Sequence, residues 1–178
     1  MIEPGTTVVL VVDYQEKLLP AIVEHERCVA AGRRLIEAAG VLCVPVLATE
    51  QYPAGLGPTC ASIREVLART PIVEKTRFSA CVDAVTDRLA ALGRPNVLLA
   101  GIETHVCVQQ TALDLLARGW TPYICADAVG SRRPHDRDIA LDRMRQAGAV
   151  VTTTESAIFE LLGDAGGEAF KRILRIVK

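Results

Sequence analysis

Short runs of β-branched and aliphatic residues alternate with longer stretches whose apolar positions recur every three or four residues. The runs predict strands at Val8–Val12, Val44–Thr49, Ile72–Glu74, Asn96–Ala100, Pro122–Ala126 and Ala149–Thr153. The amphipathic stretches predict helices over Arg27–Gly40, Ser62–Arg69, Cys81–Leu92, His105–Arg118, Pro134–Ala147, Glu155–Leu162 and Glu168–Val177. Gly40, Gly93 and Gly119 fall where helix-ending glycines are expected, and Pro134 suits the first turn of its helix. Pro45 belongs at the start of its strand, because proline cannot donate within a central ladder. Gln51–Pro58 carries two prolines and two glycines and is expected to be a loop. Strands that alternate with helices imply βαβ units, and their continuous apolar character suits a sheet covered on both faces. The expected fold is α/β: a three-layer α/β/α sandwich around a six-stranded, mostly parallel, doubly wound sheet, with residues 1–178 as one domain. In such sheets ligands bind beyond the carboxyl ends of the strands.

Charge narrows the partners. Lys and Arg total 20 against 21 Asp and Glu, a formal net charge of −1, so no basic excess exists to neutralise phosphates. Aromatic residues make up only 4%, which leaves few platforms for stacking bases. Nucleic acid is therefore not an expected partner. The apolar run at Val8–Val12 is short, lacks a basic flank and ends on Asp13, unlike a secretory signal. No uninterrupted apolar run approaches the roughly 20 residues of a membrane span. The expectation is a cytoplasmic protein without a membrane partner. Six cysteines remain to be placed: Cys28, Cys43, Cys60, Cys81, Cys107 and Cys125. None are close enough for a zinc-type CxxC pair, and reduced thiols acting as small core hydrophobes are the default. Cys43 and Cys125, each inside an apolar run, fit that default best.

Three residues at strand ends carry chemistry. Asp13 follows the first strand directly, where it reads either as a capping aspartate or as a carboxylate that needs a partner. Lys75 follows the third strand, where most lysines are simply solvated. Cys107 falls in the first turn expected after the fourth strand, where free N–H groups and the helix dipole favour thiolate. A strand–glycine turn–helix junction at the sheet's carboxyl edge is a known nucleophile position. Periodicity alone does not show that the three converge.

These segments resemble the isochorismatase-like cysteine hydrolases, nearest to the small isochorismatase-domain hydrolases of uncertain substrate. The resemblance runs through VVLVVDYQ, TEQYPAGLGPT, VEKTRFSA, GIETHVCVQQTALDLLARG and AGAVVTTTESAIFELL, and so covers almost the whole chain. It implies a catalytic triad of Asp13, Lys75 and Cys107. It also implies a cis peptide between Ile102 and Glu103, whose role would be to aim the Glu103 and Cys107 amides at an oxyanion. The family's nicotinamidases hold a metal on an Asp–His–His set in the loop after the second strand. That loop holds no histidine here, so neither metal nor cofactor is expected. True isochorismatases lack the nucleophilic cysteine, so Cys107 favours amide-type C–N hydrolysis through a thioester. Gln51, Tyr52, Phe78 and His105 are candidate substrate-binding residues, each with a plain alternative as a loop, core or surface side chain. Asp127, before Gly130 and Ser131, is expected to serve a turn or cap. Arg132, Arg133 and Arg137 read as a solvated face or a subunit contact. The family commonly assembles into homo-oligomers. The competing reading is a catalytically idle small-molecule-binding or scaffold protein of the same fold.

Overall fold

The computed structural model describes residues 1–178. Six strands form one sheet: β1 (Thr7–Val12), β2 (Val46–Gln51), β3 (Ile72–Lys75), β4 (Asn96–Ile102), β5 (Thr121–Gly130) and β6 (Val150–Thr152). Their order is β3-β2-β1-β4-β5-β6, and every pairing is parallel. The central strand β1, with the sequence TVVLVV, is buried along its whole length. Its side chains alternate between two apolar layers. Val9 and Val11 join Leu35, Ile36 and Ala39 of helix α1 (His25–Val41) on one face. Val8, Leu10 and Val12 join Val85 and Leu89 of the helix at Asp83–Leu92, with Leu115, on the other. Burial on both faces explains why the strand sequence shows no polar alternation.

Crossovers supply the remaining helices. A single turn, α2 (Pro53–Leu56), lies inside the expected loop, and α3 (Ala61–Leu67) precedes β3. The helix α4 (Asp83–Leu92) links β3 to β4 and ends on Gly93, whose φ of 62° suits glycine. After β4 the chain does not enter an α-helix directly. Thr104–Val108 forms a π-helical turn, followed by α5 (Gln109–Ala117), α6 (Pro134–Gln146), α7 (Thr154–Leu162) and α8 (Glu168–Val177).

Several sequence expectations change. Helix α1 passes through Gly40 to Val41, so Gly40 is helical rather than a cap. Cys43 is exposed with φ of 55°, in the turn before β2, because the strand starts only at Val46. Gln51 is the last residue of β2 rather than the first of a loop. Strand β5 runs four residues beyond Ala126, past a register irregularity opposite Leu99–Gly101 of β4. Polar Asp127 hid that extension. Its carboxylate accepts bonds from the Thr154 amide (2.7 Å) and hydroxyl (3.0 Å), and so caps α7. No helix is long and apolar enough to cross a membrane.

Candidate active site

The carboxyl ends of β1, β2 and β3 bring three polar side chains together by register. Lys75 and Gln51 are direct partners on β3 and β2. Thr49 lies two residues before Gln51, on the same face of β2. At the end of β1, Asp13 adopts φ of 53°, which turns the chain out of the sheet while its amide still bonds to the Thr49 carbonyl. Aspartate tolerates that left-handed conformation better than most residues. Its carboxylate then meets the Lys75 ammonium at 2.6 Å and the Thr49 hydroxyl at 2.7 Å.

The pair is dry. Both side chains are 0% exposed. The ammonium has three N–H groups to place. Besides Asp13 they meet the Gln51 amide oxygen at 2.7 Å and the carbonyls of Phe78 at 3.0 Å and Arg77 at 3.3 Å. No donor of Lys75 is left over for a ligand, so its contribution is a fixed positive charge.

Cys107 reaches this pair from β4. Gly101, opposite Val12, has φ of 142°, and a Cβ there would lie 2.0 Å from the Val12 carbonyl oxygen. Only glycine lets β4 close on β1 at this level. The Ile102–Glu103 peptide that follows is cis. The π-turn then carries Cys107 inward, 5% exposed, where its sulfur comes under the influence of the Asp13 carboxylate, the Lys75 ammonium and the Glu103 amide. Thr111 of α5 anchors the turn. Its hydroxyl donates to the Cys107 carbonyl at 2.6 Å and accepts from the Ala80 amide at 2.8 Å.

Electrostatics correct the expectation of a resting thiolate. Burial, with the negative charge of Asp13 second, pushes the Cys107 thiol up to about 12, against the opposing pull of Lys75. The amide environment of the turn does not outweigh desolvation. Burial also raises Asp13 above 3.8, although Lys75 and the Thr49 hydroxyl oppose it. The resting state is therefore a protonated thiol beside a carboxylate whose basicity is enhanced. Cys28 is also raised to about 12 and Cys81 to about 11, both chiefly by burial, but neither lies beside a lysine-paired carboxylate.

The other candidate residues separate. Gln51 is buried and spends its side chain on Lys75 and on the Thr76 carbonyl (2.8 Å), so it is not a free substrate contact. Tyr52 and Phe78 are 57% and 54% exposed, which removes the core alternative for Phe78. A cavity of about 670 Å³ opens beside Tyr52, lined also by Glu74, Lys75, Arg77 and Asp83 among others. Its walls include neither Asp13 nor Cys107, so it adjoins the reactive cluster rather than enclosing it. His105 is half-buried and pairs through Nδ1 with the Ser131 hydroxyl at 2.9 Å. Arg132 pairs with Glu103 at 2.8 Å, and Arg137 donates to the carbonyls of Val129 and Ala126. The arginine group is therefore no uniform solvated face; only Arg133 is free of such bonds. Thr49, Gln15 and Thr111 were not anticipated, since one Thr or Gln in a strand or helix carries no pattern of its own. No three His, Cys, Asp or Glu side chains converge so as to hold a metal ion.

The chain is similar to known proteins along most of its length. Residues 7–156 match the model of the isochorismatase domain. Isochorismatase domain-containing protein 1 of Salmo salar is 45% identical over 98% of this chain. The chain spans 62% of that relative's length and likewise 62% of its Danio rerio counterpart. Among solved structures, the MAR1 ribonuclease of Caenorhabditis elegans superposes with a TM-score of 0.95 at 43% identity, covering 99% of this chain and 91% of that one. YcaC from Pseudomonas aeruginosa, with hexane-2,5-diol and covalent acrylamide, gives 0.92 at 26% identity, covering 98% and 89%.

Proposed function

The chain belongs to the isochorismatase family and has that family's hydrolase fold, and on that premise we propose that it hydrolyses a small-molecule amide-type C–N bond through a Cys107 thioester. The observation that carries the proposal is the buried Lys75–Asp13 pair, with the buried Cys107 thiol beside the same carboxylate. As the sulfur attacks the carbonyl carbon, Asp13 takes the thiol proton. Its raised proton affinity makes it the better base, and Lys75 stabilises the negative charge left on sulfur. The Glu103 and Cys107 amides stabilise the oxyanion. When the tetrahedral intermediate collapses, the C–N bond breaks and protonated Asp13 hands its proton to the departing amine. Water then attacks the thioester, Asp13 takes a proton from it, and the released sulfur recovers that proton. Covalent acrylamide on the Pseudomonas aeruginosa relative supports an electrophile-accepting site in this fold.

A second reading comes from the Caenorhabditis elegans relative, a ribonuclease. In that reading Asp13 would take the proton of a ribose hydroxyl, and the sulfur would be dispensable. One plate tests both: a panel of small primary amides scored for ammonia release, and single-stranded RNA scored for cleavage, each with wild type, Cys107→Ser and Asp13→Asn. Ammonia release that both substitutions abolish is expected. RNA cleavage that survives Cys107→Ser would replace the amide reading. No turnover in any well would favour an idle scaffold.

A further inference from the structure

Lys75 is held by more than its ion pair. Its ammonium is enclosed, and its second-shortest contact is the Gln51 side-chain oxygen at 2.7 Å. The Gln51 amide has no freedom to flip, because its nitrogen donates to the Thr76 carbonyl at 2.8 Å. The Gln51 backbone is clamped as well. Its amide donates to Gln15 Oε1 at 2.7 Å, and its carbonyl accepts from Gln15 Nε2 at 2.9 Å, while Gln15 Nε2 also reaches the Gly57 carbonyl at 2.7 Å. Gln15 is fully buried. The two glutamines thus fasten the end of β2 to the segment after β1 and aim one neutral acceptor at the ammonium.

We infer that Gln51 is a positioning residue for the reaction: held by Gln15, it fixes the Lys75 ammonium where its charge serves both the Asp13 carboxylate and the Cys107 sulfur. The inference rests on the proposed cysteine-hydrolase reading. A neutral amide suits the role better than its alternatives. A carboxylate would draw the ammonium's charge away from Asp13, and an apolar side chain would leave the ammonium to the longer Phe78 and Arg77 carbonyl contacts. The titratable groups facing the ammonium are Asp13 from β1 and Cys107 from the π-turn; Glu50 and Glu74, the flanking strand residues, alternate to the opposite face. Glu50 spends its carboxylate there on the Thr59 amide and hydroxyl.

The test is the rate of Cys107 alkylation by acrylamide, read peptide by peptide by mass spectrometry across neutral and mildly alkaline pH. Wild type, Gln51→Met and Gln51→Glu are compared, with exposed Cys43 as internal reference. In Gln51→Glu the added negative charge raises the thiol by about one pKa unit, a roughly tenfold slower rate at every pH below the thiol's own range. In Gln51→Met the ammonium is no longer held between the carboxylate and the sulfur, so Cys107 labels several-fold more slowly while Cys43 is unchanged. A side chain that only fills space would be replaced by methionine with no change in the Cys107 rate. A Gln51→Met rate equal to wild type overturns the inference. Should Gln51→Met not fold, a Gln51→Glu rate equal to wild type overturns it. Failure of the underlying reading looks different: Cys107 in wild type would then label no faster than Cys43.

Discussion

Lys75→Met isolates the buried pair. Methionine keeps the length and apolar stem of lysine but removes the ammonium, leaving the Asp13 carboxylate at 0% exposure with the Thr49 hydroxyl as its side-chain donor. Removing one partner of a buried pair costs about 3–5 kcal/mol. With a urea slope of about 2 kcal/mol per M, the unfolding midpoint falls by roughly 1.5–2.5 M. The loss depends on pH with a definite sign. Burial holds Asp13 above 3.8 in the folded protein, and Lys75 is the largest opposing influence, so the variant raises it further. A carboxyl raised in the folded state binds its proton more tightly there than in the unfolded chain. Its contribution to stability is fully present below the unfolded value and is lost as pH rises through the folded one. The Lys75→Met deficit is therefore largest at neutral pH and shrinks on acidification. Asp13→Asn combined with Lys75→Met, which removes both charges, recovers more than half of the loss. Urea melts at neutral and mildly acidic pH measure all of this. A neutral-pH loss under about 1 kcal/mol, the range of an exposed pair, or a deficit that does not change with pH, refutes the reasoning.

Two further outcomes are expected. On the proposed mechanism the raised Asp13 sets the acid limb of amide hydrolysis: activity falls as pH drops through a value above 3.8, because the base must be ionised, and a kcat/KM profile with its acid limb at or below that value contradicts this role. Gly101→Ala places a methyl 2.0 Å from the Val12 carbonyl at φ of 142°, so β4 must separate from β1 and both stability and Cys107 reactivity fall; a thermal midpoint within about 2 °C of wild type would show that the strands can give way.

The fold was legible because it rests on strong local signals. Runs such as VVLVV and NVLLA are buried on both faces, and nothing in them competes with a strand. Local signal failed where tertiary contacts decide the outcome. Gly40 stays helical because α1 is held along β1 and β5, and β5 runs on through Asp127 because that carboxylate has a distant helix to cap. Asp13, Lys75 and Cys107 could be picked out as strand-end chemistry, and their convergence follows from strand order and register. The state of the thiol was misread. Position at a turn suggested a lowered value, whereas burial beside a carboxylate, visible only in three dimensions, raises it. Gln51 was noticed for the wrong reason. Its place in the sequence suggests a loop facing a ligand, but its register with Lys75 turns it toward the ammonium.

The central claim is that Cys107, although buried and protonated at rest, is the reactive thiol because Asp13 takes its proton. Acrylamide labelling of the intact protein at neutral pH tests this most directly, with all six cysteines quantified in one digest. The account predicts that Cys107 is modified ahead of exposed Cys43, that its rate saturates with acrylamide concentration, and that Asp13→Asn removes the preference. Labelling led by Cys43, with Cys107 silent in wild type and Asp13→Asn alike, would contradict it.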